Sequence, residues 1–159
     1  MKIVVCSDNH SSVKALNKIL KDNPNCDYYW HLGDSEAYSE KELSPFISVQ
    51  GNNDYINLPY CRIIEVAKHR FMLTHGHRHL RGDLNTFYHY AKSNECDVVL
   101  YGHTHMFSDY TYNDIRFINP GSCLYNRDGN KPCYVVLNID DKGNIKVLKK
   151  LVDLKEEPL

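Results

Sequence analysis

The sequence predicts an α/β fold that also contains an antiparallel sheet, and three features indicate it. The chain opens on a β-branched run at 2–7 (KIVVCS), which is typical of a buried strand. A polar loop and an amphipathic helical pattern follow, which is the start of a βαβ unit. After residue 105 the pattern changes to short alternating strands with turns at 113–114 and 141–143, which favours antiparallel pairing.

The hydrophobic pattern places helices and strands along the whole chain. Helices are predicted at 12–21, 36–43 and 83–93. Strands are predicted at 2–7, 27–32, 46–50, 62–66, 70–73, 97–101, 106–112, 115–119, 133–139 and 145–151. Ser11 or Ser12 can cap the first helix, with Val13, Leu16 and Leu20 as its apolar stripe. We expect the last four strands to form the antiparallel second sheet.

Size and composition describe an ordinary globular chain. We expect a single domain over 1–159, with a frayed tail at 155–159. Hydrophobic residues make up 42% of the chain and charged residues 25%, close to average usage. The formal net charge of −1 provides no basic field, so nucleic acid is not indicated as a partner.

Cysteine and hydropathy patterns bear on location. The six cysteines form no C-x-x-C pair, which argues against a zinc-thiolate or redox motif. No apolar run approaches the length of a membrane span, and no basic-then-apolar leader opens the chain. We therefore expect a cytoplasmic protein with free thiols and no membrane association.

Metal-ligand types of side chain follow the first three predicted strands. Asp8 and His10 follow the first strand, Asp34 the second and Asn52 the third. Carboxyl ends of parallel strands meet at one edge of a sheet, where ligands bind in open α/β folds, so these residues form a candidate site. Taken singly, Asp8 also fits a carboxylate near a helix N-terminus, and the GNND stretch at 51–54 also fits an ordinary β-turn.

Histidines follow two later strands. The strand at 70–73 runs into His75 and His77, and the strand at 97–101 runs into His103 and His105. If extended backbone continues past residue 101, the side chains of His103 and His105 point to the same side. Both imidazoles would then approach the edge of the sheet.

Pooled together, these positions offer two carboxylates, one amide oxygen and four imidazoles, with no thiolate. They are Asp8, His10, Asp34, Asn52, His75, His103 and His105. The set suits divalent Mn, Ni, Fe, Co or Zn, and seven ligands suit two ions that share a bridging carboxylate. Two such cations lower the pKa of a shared water and clamp a phosphoryl group. His31, which lies within a strand pattern, is interpreted as a core histidine instead.

The ordered series of motifs resembles the calcineurin-like metallophosphoesterases. The motifs are Asp8-x-His10, Gly33-Asp34, Gly51-Asn52-x-Asp54, His75-Gly76-His77 and Gly102-His103-x-His105. The short chain and the later Asn119-Pro120-Gly121-Ser122 are similar to the small YfcE-type phosphodiesterases of bacteria and archaea. The resemblance implies a two-sheet β-sandwich flanked by helices, in four αββα layers, and metal-dependent hydrolysis of phosphoesters.

The resemblance also implies a division of the ligands between two ions. One ion would take Asp8, His10 and His105, and the other Asn52, His75 and His103. Asp34 would bridge them. The GHTH stretch at 102–105 would then set the spacing of the pair, because its two histidines bind different ions.

One position departs from the family pattern and affects the catalytic residues. Many of these enzymes carry a histidine, implied to act as a general acid or to steady the transition state, where this chain has Asn53. The small YfcE-like members often lack this histidine too and carry cysteine there. Asparagine donates a hydrogen bond but delivers no proton at neutral pH, so substrates with good leaving groups should react best. Of the remaining candidates, Asp54 is expected to brace its loop and His77 to contact substrate or a ligand. His79 is expected to lie outside the site.

Substrate and partner predictions rest on short loops. Only 16 residues separate Asp34 from Gly51, which leaves little room for a cap, so we expect an open site for a small phosphodiester. A phosphomonoesterase is the near alternative. Tyr55 or Tyr125 could stack on a base, although generic packing also explains them. The chain also resembles Vps29, where the fold is a non-catalytic protein-interaction scaffold, and an edge strand of the second sheet could support a homodimer.

Overall fold

The structure, a computed structural model, describes residues 1–80 and 83–154. Its helices are α1 (Val13–Asp22), α2 (Glu40–Leu43) and α3 (Leu84–Ser93). Its strands are β1 (Lys2–Cys6), β2 (Tyr28–His31), β3 (Ile47–Ser48), β4 (Cys61–Val66), β5 (His69–Thr74), β6 (Val98–Leu100), β7 (Phe107–Tyr112), β8 (Ile115–Pro120), β9 (Cys133–Ile139) and β10 (Ile145–Leu151). The tail predicted at 155–159 lies outside the described residues.

The strands form two five-stranded mixed sheets. The order is β10-β9-β1-β2-β3 in the first and β4-β5-β6-β8-β7 in the second. Strands β1, β2 and β3 run parallel, as do β5, β6 and β8, whereas the remaining pairs are antiparallel. Each sheet therefore contains three neighbouring parallel strands whose carboxyl ends lie at one edge; they are central in the second sheet, whereas in the first they extend to the outermost strand β3.

Alternate residues of the central strands point to opposite faces of their sheet, one face packing against the other sheet and the other against a helix. Ile3 and Val5 of β1 pack between the sheets with residues such as Phe71 and Leu100 of the second sheet. Val4 and its neighbours face α1 on the outer side of the first sheet. Met72, Val99 and Phe117 face α3 on the outer side of the second, where they meet Phe87 and Ala91. This helix–sheet–sheet–helix layering confirms the predicted αββα sandwich.

The assignment of the last four strands to one antiparallel sheet is wrong. The hairpins β7–β8 and β9–β10 are both present, but β9 joins the first sheet beside β1 and β8 joins the second beside β6. β8 is also parallel to β6, with Leu100 opposite Ile118. Turn residues specify local hairpins, whereas the sheet that a hairpin joins depends on contacts distant in sequence.

Helix α1 begins after Ser12, whose hydroxyl accepts the N–H of Ala15 at 3.3 Å, as a helix cap does. Its buried face carries Ala15, Leu16 and Ile19. Val13, predicted for that face, is 58% exposed because it lies about 100° around the helix from it.

Helix α2 starts four residues later than predicted. Glu36, the predicted first residue, has a left-handed φ of +55°, which no right-handed helix contains. Its N–H donates to Oδ1 of Asp54 at 2.8 Å instead of entering a helix. Strand β3 is likewise shorter than the predicted 46–50.

The free cysteines agree with the expectation from the sequence. All six cysteines are free thiols, four of them buried. Among the described residues, the helices are too short and too polar for any of them to cross a bilayer.

Candidate functional site

Loops from both sheets meet at the carboxyl ends of the parallel strands. Asp8 follows β1 and Asp34 follows β2, both in the first sheet. His75 follows β5, and His103 and His105 follow β6, in the second sheet. The structure thus brings together side chains that are up to 97 positions apart in the chain.

The backbone at this edge is unusual for residues with side chains. The φ angles are +59° at Asp8, +41° at His10, +57° at Asp34, +69° at His103 and +57° at His105. Residues other than glycine rarely adopt this region, and such strain is retained mainly where surrounding structure enforces it, often at functional sites. The expectation of extended backbone through 103–105 is therefore wrong, and the two imidazoles reach different neighbours.

Asp8, His10 and His105 form the first cluster of ligand-type atoms. The Nε2 atoms of His10 and His105 are 3.1 Å apart. Oδ1 of Asp8 lies 3.3 Å from Nε2 of His105 and 3.8 Å from Nε2 of His10. Atoms that each lie about 2 Å from one ion are themselves about 3–4 Å apart, so this spacing fits a shared cation.

Asp8, Asp34 and His75 form the second cluster, whose donor atoms all lie within 4.8 Å of one another. Nε2 of His75 is 3.4 Å from Oδ2 of Asp34 and 3.7 Å from Oδ1 of Asp8. Oδ2 of Asp34 is also 4.0 Å from Nε2 of His10. The Asp34 carboxylate thus lies between one histidine of each cluster.

Asn52 and His103 extend the second cluster outward. Nδ1 of His103 lies 3.2 Å from Oδ1 of Asn52, and the His103 ring centroid is 5.1 Å from that of His75. Asn52 is exposed and His103 half-buried. The seven predicted ligand positions therefore form one connected group, with the exposed Asn52 at its outer side.

Backbone carbonyls fix the orientation of two histidine rings. Nδ1 of His75 is 2.7 Å from the carbonyl oxygen of Leu32, and Nδ1 of His105 is 2.9 Å from that of Tyr125. A carbonyl only accepts, so each Nδ1 carries a proton, and each Nε2 is left facing the carboxylates, where it can offer its lone pair to a cation. Such outer partners are typical of histidines that ligate metals.

Two buried polar atoms at the centre lack partners within the described residues. They are Oδ1 of Asp8 and Nε2 of His75. The other oxygen of Asp8 accepts hydrogen bonds from Ser7 Oγ at 2.5 Å and from the N–H of His103 at 3.2 Å. A buried polar atom without a partner costs free energy, and a cation between these two atoms would satisfy both.

Charges at the site oppose the effect of burial on both carboxyls. Burial alone would raise the pKa of Asp8, but the rings of His105 and His75 and the Ser7 hydroxyl hold it below its usual range. Burial likewise opposes ionisation of Asp34, whose pKa is nonetheless lowered strongly by the His75 ring and by Asn53. Both carboxylates are therefore ionised at neutral pH and available to a cation.

The histidines divide into two kinds. Burial lowers the pKa of His75, but the carboxylates of Asp34 and Asp8 more than compensate and raise it overall. The pKa of His105 is raised by the Asp8 carboxylate despite burial. Burial and the neighbouring His75 lower the pKa of His103. The two raised rings are those that face the carboxylates most closely.

Asp54 braces the loops that carry the acidic residues. Its Oδ2 accepts the N–H of Gly51 at 2.6 Å and that of Asp34 at 3.0 Å, while Oδ1 accepts Ser35 Oγ and the N–H of Glu36. A Cβ at Gly51 would lie 2.3 Å from the backbone nitrogen of Asp34, so only glycine fits there. Asp54 therefore occupies a positioning role, away from the ligand atoms.

His77 lies beside the second cluster without a hydrogen bond at Nδ1 among the described residues. Its ring centroid is 5.5 Å from that of His75 and 6.2 Å from that of His103. Burial, together with the charges of nearby His75, His103 and Arg78, lowers the pKa of His77 to about 4. His79, by contrast, stacks on the rings of Phe87 and Tyr90 against α3.

The sequence analysis assigned no role to several contributing residues, although it quoted Ser122 as part of the motif at 119–122. Ser7 holds Asp8, and Ser122 donates its hydroxyl to the carbonyl of Asp8 at 2.8 Å. Glu36 approaches His10, with Oε1 3.6 Å from Nδ1. A serine next to an aspartate is too common to be a signal, and Ser122 is 114 residues away from Asp8. His31 is fully buried and bonded to Asn9, as its interpretation as a core residue expected.

Known proteins share both the sequence pattern and the fold. The phosphodiesterase YfcE of Escherichia coli K12 is 29% identical over 170 aligned positions, covering 88% of this chain and 89% of YfcE. A predicted phosphoesterase from Streptococcus pneumoniae has a crystal structure with a TM-score of 0.84 and 27% identity, covering 97% of this chain and 93% of that one. Similarity to both extends over nearly the full length of each.

A protein with a different name shares the fold more distantly. The crystal structure of Vps29 from Entamoeba histolytica, complexed with Zn²⁺, matches with a TM-score of 0.71 and 21% identity, over 96% of this chain and all of that one. At this identity the match establishes the fold alone.

The family model of the calcineurin-like phosphoesterase superfamily domain matches residues 1–142, which contain every motif described above. That match spans most of the 159 residues. The chain therefore belongs to the calcineurin-like phosphoesterase superfamily.

Proposed function

We propose that this protein is a phosphodiesterase that hydrolyses a small phosphodiester with the help of two divalent transition-metal ions. Membership of a phosphoesterase family and the similarity to YfcE support the reaction class. The single observation that carries the proposal is a pair of buried atoms, Oδ1 of Asp8 and Nε2 of His75, that find no hydrogen-bond partner in the described part of the chain and lie within an N/O cluster. Without a cation that arrangement leaves desolvated polar atoms unsatisfied.

The residues present fit a dinuclear centre. Asp8, His10 and His105 supply the first set of donor atoms, and their mutual distances are those of ligands around one ion. His75, His103 and Asn52 supply the second. The position of Asp34 between His10 and His75 supports a bridging role for its carboxylate. The ions are Mn, Ni, Fe, Co or Zn, since imidazole and carboxylate suit them.

The bound ions would lower the pKa of a shared water and neutralise charge on the phosphoryl oxygens. This chain's own residues hold and orient the centre. Asn53 donates to both oxygens of Asp34, and Asp54 holds the loop around it. The carbonyls of Leu32 and Tyr125 aim the lone pairs of His75 and His105.

Neither Asn53 nor His77 can donate a proton to the leaving group at neutral pH. Asn53 has no acidic proton, and His77, with a pKa of about 4, is neutral at pH 7. His77 can contact substrate as a neutral imidazole. Substrates whose leaving group needs no proton should therefore react fastest, which favours aryl diesters over alkyl phosphomonoesters. A phosphomonoesterase remains the near alternative.

The test uses bis-p-nitrophenyl phosphate with added Mn²⁺ or Ni²⁺. We expect the purified protein to release p-nitrophenol, and Asp34→Asn to lose at least about a hundredfold in kcat/KM because the bridge loses its charge. The matched control, Asp141→Asn, removes an exposed carboxylate outside the site and should leave the rate unchanged. A fully active Asp34→Asn protein would disprove the bridging role.

The same assay separates the enzyme from the non-catalytic alternative. A Vps29-like scaffold of this fold would release no p-nitrophenol with either metal, while still folding normally. Metal content measured on the same sample then shows whether the site is filled. An inactive protein with two ions bound would favour the scaffold.

The proposal includes a cytoplasmic location and a homodimer. Six free thiols support a reducing compartment. Strands β4 and β7 end the second sheet and offer edges for pairing with a second copy. Sedimentation equilibrium of the purified chain tests the dimer, which should have twice the monomer mass of 18.5 kDa.

A further inference from the structure

Two exposed tyrosines stack on each other near the candidate site. The rings of Tyr38 and Tyr55 have centroids 5.8 Å apart and an interplanar angle of 22°. Their exposed fractions are 78% and 66%, the two highest among the large hydrophobic side chains of the described residues. The pair therefore presents flat apolar ring surface to solvent, which favours a flat partner.

Both tyrosines are tied to the site through Asp54. Tyr55 directly follows Asp54, whose carboxylate accepts the N–H of Asp34 at 3.0 Å. Tyr38 lies two residues after Glu36, whose N–H donates to the same carboxylate. The backbone N–H of Tyr38 is also held by Glu42 at 3.0 Å. The loops that carry Tyr38 and Tyr55 are thus both linked through Asp54 to the loop of Asp34.

An apolar recess opens beside this pair. Its volume is about 200 Å³, and Val13, Leu16, Leu43 and Tyr38 form its apolar walls. Glu36, whose Oε1 lies 3.6 Å from Nδ1 of His10, also lines the recess. A group bound against Tyr38 would therefore lie next to the first cluster of ligand atoms.

The charge around the pair selects among flat partners. Glu36 and Glu42 line the recess, and among its described lining residues there is no lysine or arginine. Carboxylates repel a second phosphate, whereas a neutral ring gains stacking without that penalty. The surroundings consequently favour an uncharged aromatic group over a polyphosphate or a longer nucleic-acid chain.

We propose that Tyr38 and Tyr55 form a stacking subsite for the substituent of the diester that is not released, and that this substituent is a neutral aromatic ring such as a nucleoside base. The inference rests on the proposed phosphodiesterase function and adds a substrate class to it. The tyrosines bind the substrate and take no part in proton transfer. Their contribution should appear in KM more than in kcat.

The kinetic test compares two diesters with the same leaving group. Thymidine 5′-(p-nitrophenyl phosphate) carries a base, whereas methyl p-nitrophenyl phosphate carries none. Tyr38→Ala and Tyr55→Ala should each lower the ratio of kcat/KM for the thymidine ester to that for the methyl ester by roughly 5- to 100-fold, the range expected for one lost stacked ring. Tyr38→Phe should retain the ratio.

Tyr28→Ala is the matched control. Tyr28 is also exposed but begins β2, at the opposite end of that strand from Asp34. Its replacement should leave the ratio unchanged. If both alanine variants at the stacked pair keep the wild-type ratio, the subsite is disproved while the hydrolase stands.

A binding test separates this inference from the proposed function. Saturation-transfer NMR with Asp34→Asn protein, which should not hydrolyse the ester, reports whether thymine protons contact the protein. Saturation transfer to the thymine ring in Asp34→Asn, and its loss in the double variant that also carries Tyr55→Ala, would support the subsite even if no substrate is hydrolysed. Absence of transfer to thymine in the parent protein would overturn it, even if the protein hydrolyses aryl diesters.

Discussion

Asn53 binds both oxygens of the Asp34 carboxylate. Its backbone N–H donates to Oδ1 and its side-chain Nδ2 donates to Oδ2, each at 2.9 Å. Asn53, which stands where the resemblance implies a histidine in many related enzymes, thus orients the carboxylate of the proposed bridge. The same two hydrogen bonds help to lower the pKa of Asp34.

This relationship predicts that Asn53→Asp is more damaging than Asn53→Ala. The alanine variant keeps the backbone donor, whereas aspartate adds a negative charge beside Asp34 and removes the Nδ2 donor. We expect metal affinity to fall about 10-fold for alanine and about 100-fold or more for aspartate, measured by competition with a chelating dye. Asn57→Asp, at an exposed position in the same segment, controls for added charge. Equal affinities for the two Asn53 variants would contradict the prediction.

The two histidines of the GHTH stretch should affect different ions. His105 faces Asp8 and His10, whereas His103 faces Asn52 and the His75 ring. We expect His103→Ala and His105→Ala each to bind about one ion instead of two, as counted by plasma mass spectrometry after desalting. The remaining ion should be bound at a different place in each variant. Anomalous scattering from crystals of the two variants soaked in Mn²⁺ locates the remaining ion in each. An ion at the same position in both variants would refute the assignment of the two histidines to different ions.

Gly51→Ala should disrupt the site through backbone contact. The added Cβ would lie 2.3 Å from the nitrogen and 2.2 Å from Oδ1 of Asp34, and backbone cannot move aside as a flexible side chain can. We expect the free energy of unfolding to fall by about 2 kcal/mol or more and metal affinity to drop with it. Gly129→Ala, where the Cβ meets nothing within 4 Å, carries only the cost of its φ of +79°. That control should retain full metal affinity.

His31 makes stability depend on pH in a defined window. Complete burial lowers its pKa from 6.5 to about 4. The unfolded chain therefore takes up a proton below pH 6.5 that the folded protein refuses until about pH 4, so stability falls as the pH drops through this window. The loss should reach about 3 kcal/mol, at 1.36 kcal/mol for each pKa unit.

The measurement is urea unfolding of metal-free protein at pH 7.5 and pH 4.5, compared between wild type and His31→Gln. The variant should lose less stability than the wild type between these pH values, whatever its stability at pH 7.5. His89→Gln removes an exposed histidine and should behave as the wild type does. If His31→Gln loses as much unfolding free energy as the wild type between pH 7.5 and pH 4.5, other groups cause the pH dependence.

The parts of the fold that the sequence predicts are those with local signals. β1, α1, β2 and α3 follow from hydrophobic period and caps, and Ser12 caps its helix as expected. Sheet membership of β7 to β10 was predicted wrongly because it depends on pairings such as Ile3 with Leu137, 134 positions apart. Hydrophobic alternation identifies a strand but not its neighbour.

In the site, too, the features with a local sequence signal could be predicted and those that depend on distant contacts could not. Each predicted ligand follows a strand in the sequence, so its presence at the sheet edge could be predicted. The left-handed backbone at Asp8, Asp34 and His103 could not, because propensity disfavours it and only the assembled structure enforces it. The donor pairs Ser7–Asp8 and Asn53–Asp34 likewise depend on side-chain geometry that no periodicity describes.

The two carboxylates of the candidate site follow strands of the first sheet, whereas His75, His103 and His105 follow strands of the second. Any ion held by Asp8 and His105, or by Asp34 and His75, would therefore link the two sheets of the sandwich at this edge. Because the unfolded chain cannot present these groups together, such an ion would stabilise the folded protein by about 2.7 kcal/mol at a free concentration 100 times its dissociation constant. The melting temperature, and with it the lifetime of the protein in the cell, would then rise and fall with the availability of metal.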